Sequence, residues 1–74
     1  MKKIRNNFLK NVGLNIRHAR SEKGLTQESL AFEADLDRSY IGGVERGDRN
    51  IAVVNLKKIA DALNVSLSDL LKNL

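Results

Sequence analysis

The residues of this 74-residue chain that could act together on another molecule are Arg38, Ser39, Gly42, Gly43 and Arg46. At helical spacing they share one face, opposite an inward set of Tyr40, Ile41 and Val44. A helix face that meets only water is normally filled with strong helix formers, and each glycine there costs about 1 kcal/mol relative to alanine. Two adjacent glycines are explained by close approach of the helix to another surface, and the flanking arginines make that surface polyanionic. The alternative is slack in a helix held by tertiary packing. Other chemistries lack their parts. There is no cysteine, and His18 is the only histidine. Neither a nucleophilic triad nor a zinc centre can be assembled from the usual groups. Glu28, Glu33, Asp35 and Asp37 read as caps and solvated faces, so the chain is read as a non-enzyme with no cofactor and no metal.

Two short helices joined by a tight turn, residues 26–46, must hold that face in place. Thr26 is an N-cap, and Leu30, Ala31 and Ala34 form the first apolar stripe, with Ala31 small enough for a second helix to cross closely. Asp35 tolerates the left-handed conformation that the turn requires. Leu36 then points back to the core, and Asp37 caps the second helix. Ahead of this unit, Phe8, Leu9, Val12, Ile16 and Ala19 predict a backing helix from about Asn7 to Lys23, closed by Gly24, with Gly13 permitting close packing. Residues 1–6 are expected as a flexible basic arm. After it, Gly47-Asp48-Arg49-Asn50 has the composition of a turn. Leu56, Ile59, Ala60 and Leu63 predict a fourth helix from about Val54. Ser66 opens a fifth, over 66–74, carrying Leu67, Leu70, Leu71 and Leu74.

The motif Leu25-Thr26-Gln27, Leu30-Ala31, Ile41, Val44, Glu45-Arg46-Gly47, then Asn55-Leu56, Ile59-Ala60 and Ala62-Leu63, resembles the helix-turn-helix of the Xre family, the Cro and phage-repressor type. Within it, residues 36–46 are most similar to the controller proteins of restriction-modification systems. The resemblance covers about Val12 to Leu71 and departs from the family at Asp35, where glycine is commonest. It implies a single all-α domain over 1–74, a five-helix lambda-repressor-like fold, with the second helix of the motif in the DNA major groove. By that resemblance Arg38, Ser39 and Arg46 read bases and Gly43 admits base edges or thymine methyls. A phosphate contact is the alternative for Arg38, and Arg46 is divided between base and phosphate. Gln27 braces a phosphate at the start of the first motif helix, Arg49 and Asn50 meet the backbone, with Asn50 alternatively only making its own turn, and Tyr40 either touches the backbone through its hydroxyl or packs beneath the helix. Arg20 is expected to pair with Glu45 as a structural ion pair. The stripe Leu67, Leu70, Leu71 and Leu74 is expected to form a two-fold dimer interface, the alternative being that part of it closes this domain's own core.

Composition agrees with this class. The net charge is +4, but segregated: residues 1–23 hold seven bases and one acid, whereas 24–37 hold four acids and no base. A phosphate-facing side has this asymmetry. The start Met1-Lys2-Lys3 lacks a following apolar run, and no stretch reaches the ~18 apolar residues that span a bilayer, so a cytoplasmic location without membrane contact is expected. The partners implied are double-stranded DNA bearing a palindromic operator, a second copy of the chain, and RNA polymerase. A phage or plasmid repressor, or an antitoxin, is the alternative regulator. Outside DNA binding, a small helical protein-binding module is the competing class.

Overall fold

Thr26 and Ser66 each start a helix by the same device. Thr26 Oγ1 accepts from the Ser29 N–H at 3.0 Å while Ser29 Oγ accepts from the Thr26 N–H at 2.9 Å. Ser66 and Asp69 repeat the exchange at 3.0 and 3.1 Å. Each exchange satisfies two donors, one of which a helix start leaves free. The bonds from the Ser66 backbone and hydroxyl hold the Asp69 carboxyl below the usual carboxylate range.

In the computed structural model the protein is described over residues 2–72, with side chains from residue 7. Five helices follow one another: α1 (Lys2–Glu22), α2 (Gln27–Ala34), α3 (Arg38–Arg46), α4 (Val53–Leu63) and α5 (Leu67–Leu71), and no strand occurs among the described residues. The all-α, five-helix architecture read from the sequence is the one observed. α1, about 32 Å long at 1.5 Å per residue, accounts for the 34 Å long axis. It packs on α3 and α5, while α2 packs on α3 and α4.

The turns follow local chemistry. α1 ends as the Leu25 N–H donates to Arg20 O and the Gly24 N–H to Ser21 O, both at 3.0 Å, with Gly24 at φ 70°. Asp35 takes the left-handed conformation (φ 59°, ψ 46°), letting the Leu36 N–H return to Ala31 O at 2.9 Å. Asp37 occupies the cap of α3, but its carboxylate makes no capping bond and stays in water. α4 closes through Asn64 at φ 58°. The core gathers Val12 and Ile16 of α1, Leu30, Ala31 and Ala34 of α2, and Ile41 and Val44 of α3. Leu56, Ile59, Ala60 and Leu63 of α4 and Leu70 of α5 complete it.

Three expectations change. The helix begins at Lys2, so residues 2–6 continue α1 where a basic arm was expected, and Met1 lies outside the described residues. Phe8, assigned to the buried stripe, is 50% exposed. Lys10 meets Gly47 just past the end of α3, so the residues before it have run beyond that support. Leu70, assigned to the dimer surface, is only 1% exposed and belongs to this domain's core. Asn15 explains its orientation: the buried Nδ2 donates to Leu70 O at 3.0 Å and to Lys72 O at 2.6 Å, fastening the end of α5 to α1. Leu67 is half-buried against the core, Leu71 is exposed, and Leu74 lies outside the described residues.

Candidate nucleic-acid interface

The last turn of α3 is fixed from the inside. Glu45 is buried and its carboxylate accepts three hydrogen bonds: Arg20 Nε to Oε2 at 2.6 Å, Arg20 Nη2 to Oε1 at 3.0 Å, and Gln27 Nε2 to Oε1 at 3.0 Å. Arg20 Nη1 donates onward to Leu25 O at 2.8 Å. One carboxylate thereby ties α1, α2 and α3 together, in the two-pronged geometry that suits guanidinium and carboxylate. Hydrogen bonding to Glu45 raises the Arg20 pKa above its already high ordinary value, against the opposing effect of burial. Arg20 therefore keeps its charge, and its two bonds to Glu45 serve structure. Beside it, a Cβ on Gly13 would stand 2.5 Å from the carbonyl oxygens of Val44 and Glu45. Only glycine lets the α1 backbone lie directly on that turn.

This clamp places the opposite face of α3 outward. Arg38 and Ser39, at its amino end, are exposed, and their side chains make no hydrogen bond to other described residues. Arg46, at its carboxyl end, has its side chain 67% exposed and donates from Nε to Asp48 Oδ2 at 2.8 Å. Gly47 then turns the chain at φ 79°, and the Asp48 N–H closes on Gly43 O at 2.9 Å. Arg49 and Asn50 follow, both exposed.

Gly42 and Gly43 do not stand bare on this face. The Cβ position of Gly42 lies 3.4 Å from Arg46 Nη1 and 3.5 Å from Gln27 Oε1, and that of Gly43 lies 2.8 and 2.9 Å from Arg49 Cδ and Cγ. The glycines are therefore covered by arginine side chains lying across the helix. The Arg49 guanidinium reaches over the Tyr40 ring, 4.9 Å from its centroid, a cation–π arrangement. Below it, the Tyr40 hydroxyl accepts from Asn55 Nδ2 at 3.1 Å. Tyr40 is thus a half-buried platform between α4 and the outer surface. Gln27 opens α2, but its amide is engaged with Glu45 and does not face outward unencumbered. Of the residues assigned to DNA, Arg38, Ser39, Gly43 and Arg46 share the outer side of α3, Arg49 and Tyr40 stack at its flank, and Gln27 sits at the edge.

Sequence reasoning missed Asp48, Asn55 and Asn15. Asp48 had a readable signal, an acid between two arginines directly after the helix; the two asparagines act across 15 and 55 or more residues and gave none. Among the described residues no group of three or more histidine, cysteine or acidic side chains could hold a metal, and no helix is long and apolar enough to cross a membrane.

Comparison with known proteins agrees with this geometry. The helix-turn-helix family profile matches residues 16–70. Control protein C.BamHI of Bacillus amyloliquefaciens is 46% identical over 67 residues, covering 89% of this chain and 83% of its own. Control protein C.MunI of a Mycoplasma species is 43% identical over 63 residues, covering 84% and 85%. The crystal structure of the restriction-modification controller protein C.AhdI from Aeromonas hydrophila superposes with a TM-score of 0.82 at 52% identity, covering 84% of this chain and 94% of that one. With Arg38, Ser39 and Arg46 facing outward on a helix clamped by Arg20 and Glu45, the chain belongs to the Xre-type helix-turn-helix family of DNA-binding transcription regulators, which is no enzyme class, among the relatives of the restriction-modification control proteins.

Proposed function

We propose that the chain reads double-stranded DNA sequence-specifically, as a homodimer on a palindromic operator, and times gene expression in a restriction-modification system. In that role it acts on its own promoter and on that of a neighbouring endonuclease gene. The observation that carries this reading is the outer face of α3: Arg38 and Ser39 unengaged at one end, Arg46 at the other, on a helix held by its buried side. α3 enters the major groove and α2 crosses the backbone above it. Arg38 presents a planar donor fork suited to guanine O6 and N7, a contact worth about 1–3 kcal/mol of discrimination. Arg49, Asn50 and the edge of Gln27 set position on the phosphates, which carry no sequence information themselves.

One domain this size reads only a few base pairs, so two copies across a palindrome supply the specificity. Leu71, 44% exposed beside the half-buried Leu67, is the described part of α5 that a second copy can cover. Leu74 extends the same stripe in sequence. Dimer formation makes operator occupancy steep in protein concentration, which is how a regulator acts as a timer, and contact with RNA polymerase at an occupied site would convert occupancy into activation.

The test is selection of binding sites from a random duplex library by the wild-type protein and by Arg38→Ala. The expected result is a palindromic consensus for the wild type, relaxed at one position per half-site in the variant, with affinity that falls steeply as salt rises through counterion release. A wild-type protein that enriches no sequence at low salt would sink the reading and put the helical protein-binding module first.

A further inference from the structure

Asp48 is the residue that phosphate contact leaves unexplained. A carboxylate in a loop that meets the DNA backbone is repelled by it, yet Asp48 is exposed between Arg46 and Arg49. Three observations say what it does. The left-handed turn at Gly47 and the bond from the Asp48 N–H to Gly43 O bring Asp48 back alongside the end of α3. Its Oδ2 takes the Nε proton of Arg46 at 2.8 Å. The guanidinium so held lies along the helix, with Nη1 and Nη2 at 3.4 and 3.8 Å from the Cβ positions that Gly42 and Gly43 leave empty. Nη1 and Nη2 make no hydrogen bond among the described residues.

A guanidinium carries five donors in a rigid plane. Engaged at Nε, Arg46 keeps both terminal amino groups on one edge, in the arrangement that N7 and O6 of guanine accept together. We propose that Asp48 is a positioning residue that fixes Arg46 as a guanine reader and so sets the specificity of the interface. This rests on α3 being the helix that enters the groove. The glycine pair leaves room for this placement: a Cβ at either position would already be in van der Waals contact with the guanidinium, so a side chain longer than alanine's would meet it. Asp48 acts on both sides of the specificity ratio. At the correct base it spares Arg46 the loss of side-chain freedom on binding. At a wrong one, any swing of Arg46 away from the helix breaks its bond to Asp48 and leaves an unpaired carboxylate facing a polyanion.

The experiment measures affinities of wild type, Asp48→Asn, Arg46→Ala and the double variant at one salt concentration. The probes are the consensus duplex that the wild type selects, the unselected random pool, and consensus duplexes carrying 7-deazaguanine at each guanine in turn. Asp48→Asn is expected to bind the random pool about two- to fivefold more tightly, the range of an exposed charge interaction. It should also lose preference at one guanine per half-site. Arg46→Ala should lose preference at that same guanine by about tenfold or more, and adding Asp48→Asn to it should change base preference no further. Replacing N7 at that guanine should weaken the wild type and leave Arg46→Ala unaffected. Thermal unfolding of Asp48→Asn should match the wild type, separating positioning from stability. Equal gains on consensus and pool, with every base preference intact, would show that Asp48 only repels phosphate and overturn the proposal. So would loss of preference at different positions in the two single variants. Failure of the wild type to select any sequence would overturn the functional reading instead.

Discussion

Glu45 and Arg46 are neighbours in sequence and both belong to ion pairs, yet the two pairs do opposite work. Arg20 and Glu45 have side chains only 14% and 3% exposed, share two hydrogen bonds, and are joined by Gln27. Arg46 and Asp48 are 67% and 61% exposed and share one. The inner pair has given up its water, so each partner depends on the other, and removal of one strands a buried charge. The outer pair keeps its water and contributes little to folding. What it leaves open are the two terminal amino groups of Arg46, which make no hydrogen bond among the described residues. A one-residue step along α3 thus separates the part of the site that must not move from the part that binds.

The sharpest way to break this contrast is to remove Glu45. Glu45→Ala leaves the Arg20 guanidinium largely buried, releases Gln27 and unties α1 and α2 from α3. The expected loss is about 3–5 kcal/mol, a large fraction of the total for a domain of this size. At ~4–8 °C per kcal/mol, thermal unfolding should register it as a fall of well over 10 °C. Replacing Arg20 and Glu45 together by apolar residues of similar volume should recover most of that loss, because no unpaired charge remains. If Glu45→Ala unfolds within a few degrees of the wild type, the inner pair is no different in kind from the outer one.

Gly13→Ala tests the same region through packing. Its methyl would lie 2.5 Å from the backbone oxygens of Val44 and Glu45, and backbone cannot rotate aside as a side chain can. α1 and α3 must part, which costs about 1–3 kcal/mol, more than the helix propensity that alanine gains. Urea denaturation should show a lower midpoint with an unchanged slope. The shift of the last turn of α3 should also weaken DNA binding, although Gly13 lies behind the interface.

How much of this was legible follows the range of each interaction. Thr26, Asp35, Gly24 and Ser66 act within a few residues of themselves, and their roles could be read directly. The shared face of Arg38, Ser39 and Arg46 followed from helical spacing alone. Periodicity gave the direction of the α5 leucines but not how wide a stripe the core would take. Leu70 and Leu71 are adjacent in sequence, and the bonds from Asn15, 55 and 57 residues away, decide which of them is enclosed. The same blindness hid the state of the glycines. Spacing puts Gly42 and Gly43 outward, yet says nothing of Arg46 and Arg49 lying down across them, since long side chains choose their rotamers by neighbours that the linear pattern does not display.

Gly43→Ala makes the finest distinction between the two regions, because the same substitution as at Gly13 should have the opposite sign. The new methyl would meet Arg49 Cδ and Cγ at 2.8 and 2.9 Å, and that side chain is exposed and free to swing away. The cost of moving it is small, while alanine in place of glycine in a helix interior gains roughly 0.5–1 kcal/mol. Thermal unfolding should therefore rise by a few degrees. DNA binding should fall, because Arg49 loses its seat over the Tyr40 ring. A variant that is both more stable and a poorer binder would show that this glycine is kept for the interface at the expense of the fold. If Gly43→Ala is destabilised like Gly13→Ala, Arg49 is packed as rigidly as backbone, and the outer face is less adaptable than its exposure implies.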